Sequence, residues 1–320
     1  MFVFPNNYLR GTISNMSVKP KVQPLTPYLR KGYSQYGEEG IIDHVLSEIN
    51  HDELIVDIGA SDGITFSNVY SLILKNYEAH LFELDVIKCE KMKKLFHLYE
   101  KVTIHNEFID PIQKPLHQLL NPFLDTEKIT VLSIDIDSQD ALVFDSLGEV
   151  RPQLVVIEMN ANIPNHISII QTEYGRTTGN SALALYDIAT SKGYYLIHAT
   201  WGNLIFLEKT QLNKSLFQEL QLDECLNDSG TIKGIFTGFD GKIYFSGGEI
   251  LDFPWHAYNV NLRKILNKKE LFGVFKKFVG DFNQIEKVAW RFVRLFYVMN
   301  KMEKLKKKVK SIYSKKEKLN

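Results

Sequence analysis

Residues 54–63, LIVDIGASDG, constrain this chain more than any other ten. An apolar run with an acid near its end leads into a turn holding Gly59 and Gly63. That pattern predicts a buried parallel strand followed by a loop, and the apolar spacing of Ile64, Val69, Leu72 and Ile73 predicts a helix after it. Such a loop suits a nucleotide-like ligand, because glycine admits close backbone approach and a helix start offers free N–H groups. Asp57 selects among ligands. A buried carboxylate repels phosphate and attracts an ammonium or a hydroxyl, so the expected ligand is an amino-acid-bearing nucleoside rather than a pyrophosphate. The glycines are spaced G-x-x-x-G, unlike the dinucleotide fingerprint, and the Gly-Lys-Ser/Thr of a Walker loop is absent. About 26 residues after Asp57, the run AHLFELD places Glu83 and Asp85 at the tip of a second strand, where a carboxylate can accept from both hydroxyls of a ribose. Asp57 alone also admits a turn or capping reading, which Glu83 and the glycines together disfavour.

Strands are expected at 54–58, 79–84, 102–108, 129–134 and 153–159, and a helix from Gln35 to Asn50. This alternation implies a parallel sheet with right-handed crossovers. GYYLIHA and NLIFLEK, joined by a short turn, read as a hairpin. In an open parallel sheet, ligands bind beyond the carboxyl ends of the strands. The acids expected there are Asp57, Glu83, Asp135, Asp137 and Glu158. Asp135, Asp137 and Glu158 together could form an oxygen site for Mg²⁺ or Mn²⁺. The other reading has Asp135 contacting a ligand amine while Asp137 caps the next helix.

The blocks SQYGEEGIIDHVL (34–46), VDIGASDGITFSN (56–68), LFELD (81–85), VLSIDIDSQDALVF (131–144), RPQLVVIEMNA (151–161) and GNSALALYDIATSKGYYLIHATWGNLIFL (179–207) resemble, in that order, the FkbM-like class I S-adenosylmethionine-dependent methyltransferases. The resemblance spans about residues 33–210. It implies a Rossmann-like, mostly parallel seven-stranded sheet with one antiparallel strand and helices on both faces. VDIGASDG departs from many class I enzymes in lacking a G-x-G core, with Ala60 and Ser61 inside the loop. As cofactor contacts the resemblance implies Gln35 near the methionine carboxylate, the loop residues Asp57, Gly59, Ala60, Asp62 and Gly63, Glu83 on the ribose, His105, Asn106 and Glu107 near the adenine, and Asp135. The implied reaction is O-methylation of a sugar hydroxyl, on a nucleotide sugar or a surface polysaccharide, with S-adenosylmethionine as methyl donor. Methyl transfer needs an aligned acceptor and a base. Asp137 and His198 are equal candidates for the base, His198 also reading as a satisfied hairpin histidine. The long connection 160–180, with His166, Tyr174 and Arg176, reads as an acceptor-binding lid. Two other functions stay open: a metal-dependent glycosyltransferase using Asp135-x-Asp137, and a non-catalytic scaffold.

The chain has 320 residues, 44% of them hydrophobic and 12% aromatic, enough for a sizeable core. Its zero net charge conceals an asymmetry: residues 261–320 carry 18 Lys/Arg and 5 Asp/Glu, leaving the rest as acidic as the tail is basic. We therefore expect an extended arm over 1–32, a methyltransferase domain over 33–260 and a basic amphipathic helical tail over 261–320. Apolar residues at 271, 275, 278, 282, 285, 289, 292, 296 and 299 give the tail a seam. The tail could lie on an anionic membrane, pair with a second copy in a homo-oligomer, or pack on its own domain. No recognition module for nucleic acid accompanies it. Two cysteines far apart (Cys89 and Cys225) give no disulfide framework, and no signal peptide or apolar span stands out. The expected location is cytoplasmic, peripheral to the inner face of the membrane.

Overall fold

The computed structural model describes residues 23–123, 128–173, 178–211, 213, 215–226, 234–237, 243–246, 250–253, 258–266, 282–295 and 299. The chain divides into two compact units between Ile232 and Lys233.

The first unit is built on a seven-stranded sheet of β1 (Leu54–Ile58), β2 (Glu78–Glu83), β3 (Val102–Asn106), β4 (Ile129–Ile134), β5 (Leu154–Glu158), β6 (Tyr194–Ala199) and β7 (Asn203–Glu208), in the order β3-β2-β1-β4-β5-β7-β6. β1 to β5 pair in parallel, and β7 runs antiparallel to both β5 and β6. The expected strands are therefore present, two of them with the expected boundaries. The central strands are buried on both faces, which is why they read as continuous apolar runs. Alternate residues supply two cores: Leu54, Val56 and Ile58 join one, Ile55 the other. Helices flank the sheet: α1 (Glu38–Glu48), α2 (Tyr70–Ile73), α3 (Val86–Leu95), α4 (Leu116–Leu120), α5 (Asp140–Asp145), α6 (Ala182–Ser191) and α7 (Leu222–Cys225).

One expectation fails. The helix predicted to start at the glycine loop is a single turn, α2, beginning seven residues beyond Gly63. Local hydrogen bonds capture the chain first. Asp62 accepts from the N–H groups of Ile64 and Thr65, and Ser67 Oγ accepts from those of Val69 and Tyr70. Phe66 sits at φ 60°, which no α-helix tolerates. The apolar spacing was a burial signal all the same: Val69, Leu72 and Ile73 are buried. Among the described residues no long helix starts at this loop, and the N–H groups of Ile64, Thr65, Val69 and Tyr70 are taken by Asp62 and Ser67 rather than offered to a ligand.

The described start of the chain is tied to the sheet, because the Gln23 amide exchanges two hydrogen bonds with the backbone of Ala199. The second unit contains two antiparallel strand pairs. β8 (Gly234–Thr237) pairs with β9 (Ile243–Ser246), and β10 (Ile250–Phe253) with β11 (Tyr258–Asn261). It also holds α8 (Leu262–Leu266) and helical residues 284–295. The seam positions 271, 275, 278 and 296 lie outside the described residues, as do Tyr174 and Arg176 of the proposed lid.

Candidate functional site

A cavity of about 380 Å³ opens at the carboxyl ends of β1, β2 and β4, where the strand order reverses. Asp57, Gly59, Ala60, Ser61, Glu83, Asp135 and Asp137 line it, with Phe66, Asn68, Lys88, Glu107, Phe108 and Ser133.

At its floor lies Asp57, 4% exposed. Burial, moderated by a hydrogen bond from Ser133 and augmented by the charge of Glu83, pushes its carboxyl up to about 6. Because Ser133 spends its hydroxyl proton on Asp57, its oxygen accepts from Asn68 Nδ2 at 3.4 Å. Asn68 Oδ1 is then left buried without a partner. Glu83 is fixed by the backbone: one oxygen accepts from Ser61 N at 2.9 Å and the other from Asp85 N at 2.8 Å. Gly59, at φ 93°, packs so tightly that an added Cβ would lie 1.8 Å from the Asp135 carbonyl oxygen. Its glycine character serves the meeting of the β1 and β4 loops. Gly63, at φ 79°, faces Phe96 and Met92 instead and is not in the cavity wall.

Beyond β2 and β3 the wall combines apolar Phe82, Leu84, Phe108 and Ile109 with Lys88 and Glu107. Phe82 stacks on His105, ring centres 4.4 Å apart, and His105 Nε2 lies 2.9 Å from His80 Nδ1. Burial, with the neighbouring His80, lowers His105 to about 4. His105 thus props Phe82. Asn106 donates to the carbonyls of Glu83 and Leu84, tying β3 to β2, and lies outside the wall, whereas Glu107 lines it. Asp62 is a turn residue: although burial pushes its carboxyl up, hydrogen bonds from Thr65 and Ile64 and the charge of Lys88 hold it below the usual range.

On the other side, oxygens of Asp135, Asp137 and Glu158 lie within 4.8 Å of one another. Burial pushes both Asp135 and Glu158 well up, helped by the charges of Asp140 and Asp137 at Asp135 and of Asp135, Asp137 and Asp140 at Glu158, so the hydrogen-bonded pair holds a proton. Asp137 is exposed and sits at φ 56°. Asp140, 1% exposed, fixes this loop by accepting from Ile136 N at 2.8 Å and Ser138 N at 3.0 Å. Asn180 and Gln139 lash the described ends of the 160–180 connection to it, Asn180 donating to the Ser138 carbonyl and Gln139 to that of Thr172.

Among the predicted residues, Gln35, Asp62, Gly63, His105, Asn106, Glu158 and His198 lie outside the cavity wall. His198 is 1% exposed on β6, three strand positions from β4, or about 14 Å at the usual strand spacing. Burial lowers it to about 4, and its Nδ1 has no partner. It lines no part of the cavity. Gln35 is half-buried beside Ser34, whose backbone bridges to Phe66, but is itself outside the wall. The sequence reading missed Asn68, Ser133, Lys88, Phe66, Asp140 and Asn180. Ser133 was legible, since it stands two residues before Asp135 on a strand; the others depend on loop paths.

No family model matches the chain, and no curated protein matches it. Among solved structures, the CMeT domain of the citrinin polyketide synthase is 14% identical over 55% of this chain, with a TM-score of 0.39. The chain spans about half of that protein's length, 54%. A TehB-like SAM-dependent methyltransferase from Corynebacterium glutamicum is 15% identical, covering 56% of this chain and 90% of that one, with a TM-score of 0.35. An S-adenosylmethionine-dependent methyltransferase from Clostridium acetobutylicum is 8% identical, covering 53% and 90%, with a TM-score of 0.36. These likenesses are too distant to argue from. The mostly parallel seven-stranded sheet with its single antiparallel strand is what the sequence resemblance implied, a Rossmann-like class I methyltransferase fold.

Proposed function

We propose that this chain is an FkbM-like, S-adenosylmethionine-dependent O-methyltransferase that acts on a sugar hydroxyl, of a nucleotide sugar or a surface polysaccharide. The observation that carries the reading is the buried Asp57 beside the backbone-fixed Glu83 at the strand-order reversal. Buried carboxylates need a positive or hydroxyl-bearing partner, and a nucleoside with a cationic amino-acid chain supplies both. The orphaned Asn68 Oδ1 beside them adds a third acceptor seeking a donor. The residues present therefore fit this group, which supplies an activated methyl on a sulfonium. Asp57, Ala60 and Glu83 would hold it, with Phe82 and Phe108 as the apolar wall.

Asp137, the exposed acid in the cavity wall, would take the acceptor's proton as the new O–C bond forms. Asp135 and Glu158 would receive further acceptor hydroxyls, or share an Mg²⁺ or Mn²⁺ with Asp137 that orients them. An acceptor carried on a lipid would bring the enzyme to the anionic inner face of the membrane, where residues 261–320 would hold it in the cytoplasm.

The acidic triad also suits a metal-dependent glycosyltransferase, but Asp57 and Glu83 would repel a nucleoside diphosphate. Melting separates the readings. S-adenosylhomocysteine should raise the midpoint, and UDP or GDP should not; the reverse supports glycosyl transfer, and no shift from either supports a scaffold. Incubation with labelled S-adenosylmethionine and a panel of nucleotide sugars should then yield a product heavier by one methyl. Retention of cofactor binding by Asp57→Ala would end the case.

A further inference from the structure

Helical residues 284–295 leave a row of large apolar side chains in water. Ile285, Val288, Phe292, Leu295 and the helical Met299 are 80%, 51%, 60%, 55% and 55% exposed. Steps of three and four residues put the first four on one face, a stripe about 15 Å long at the helical rise. Single exposed apolar residues are ordinary, but a contiguous stripe marks a surface that meets something else.

Charge decides what. Lys287, Arg291 and Arg294 occupy the adjacent sector of the helix. The Arg294 guanidinium lies 5.0 Å from the Trp290 ring centre, so this flank is itself amphipathic. From residue 285 to the end, the sequence holds 12 Lys/Arg and 3 Asp/Glu. Two copies side by side would set like charges within about one Debye length, roughly 10 Å, of each other. A helix crossing a bilayer is apolar on every side over about 20 residues, whereas this stripe is bordered by cations. Among the described residues, no helix is long and apolar enough to do so. An anionic lipid surface answers both features: the stripe enters the headgroup boundary while the cations stay among lipid charges.

We propose that Ile285, Val288, Phe292 and Leu295 form a docking surface for an anionic bilayer, with the helix lying in the plane of the interface. The proposal is independent of the chemistry in the cavity. The test uses the full chain with vesicles of phosphatidylcholine, alone or with about 30 mol% phosphatidylglycerol. The protein should sediment with the anionic vesicles only, and about 0.5 M salt should weaken the association. The double variant Ile285→Asp/Phe292→Asp should partition about tenfold less or worse, with unchanged melting and an unchanged response to S-adenosylhomocysteine. No binding to anionic vesicles, or equal binding by the variant, overturns the proposal. So does a dimer in sedimentation equilibrium that the variant abolishes, which would make the stripe a contact between copies. Binding of duplex DNA in preference to vesicles, indifferent to the variant, would assign the charge to nucleic acid instead.

Discussion

The floor of the cavity and its acidic ledge are both built from carboxylates, yet they solve opposite problems. On the floor, neutral donors answer the acids: Ser133 donates to Asp57, and the backbone N–H groups of Ser61 and Asp85 to Glu83. On the ledge, Asp135 and Glu158 answer each other and must keep a proton between them. The floor is shaped before a ligand arrives, whereas the ledge is completed by whatever cation or hydroxyl comes to it. Preorganised acceptors and unsatisfied ones within one cavity are what a two-substrate enzyme needs, one half holding the donor and the other adapting to the acceptor.

Gly59 joins the two regions, so its replacement should have the largest effect. Gly59→Ala forces a methyl against the Asp135 carbonyl at φ 93°. We expect a loss of about 4 kcal/mol in urea unfolding, together with loss of S-adenosylhomocysteine binding. A loss under about 1 kcal/mol would mean the loops can part, and the comparison would lose its geometric basis.

Next comes pH. The folded-state carboxyl of Asp57 stands at about 6, above the 3.8 of a free aspartate. The ligand-free protein therefore holds this proton more tightly than the unfolded chain. The associated stability is complete below about pH 4 and is lost as pH rises through about 6, up to about 3 kcal/mol in all. Asp57→Asn should flatten that part of the profile, measured as unfolding free energy against pH. In the wild type, S-adenosylhomocysteine affinity should rise across the same window as the carboxylate forms. An unaltered profile in the variant would show that the floor acid is not buried as described.

Cross-tests of the two regions should give shifts of a few degrees in melting midpoint. Glu158→Gln should abolish stabilisation by Mn²⁺ and spare that by S-adenosylhomocysteine; Asp57→Asn should do the reverse. A ledge variant that loses both responses would make the site a single unit. The smallest effect is expected from Asn180→Ala, which frees the Ser138 carbonyl and withdraws a donor from Asp140. A cost of about 1–2 kcal/mol in unfolding is expected, with acceptor KM raised more than cofactor affinity is lowered. A larger drop in cofactor affinity would place the loop's anchor on the wrong side.

Much of this was legible in residue order. The strands at 54–58 and 129–134 could be read to the residue, because a buried parallel strand leaves a short, unbroken apolar run. Asp57, Glu83, Asp135, Asp137 and Glu158 are expected at the site because ligands gather at the carboxyl ends of such strands; the first four line the cavity and Glu158 lies outside its wall. The helix after Gly63 was misread because burial and helical periodicity give the same apolar spacing, and the sequence does not show that Asp62 and Ser67 capture the backbone N–H groups. His198 was misjudged as a neighbour of the chemistry for a related reason. It stands at the correct end of a strand, but in a strand three places away.

What the sequence determined by itself was the local chemistry: which runs extend, where they stop and which acids stand at their ends. Those follow from side-chain size, polarity and the two-residue period of a strand. What only the tertiary structure decided was adjacency. Strand order brought Ser133 to Asp57, and loop paths brought Asn68 and Asn180 to their partners across 65 and 42 residues. Contacts at such separations arise from the joint packing of the whole sheet, which no short window of sequence contains.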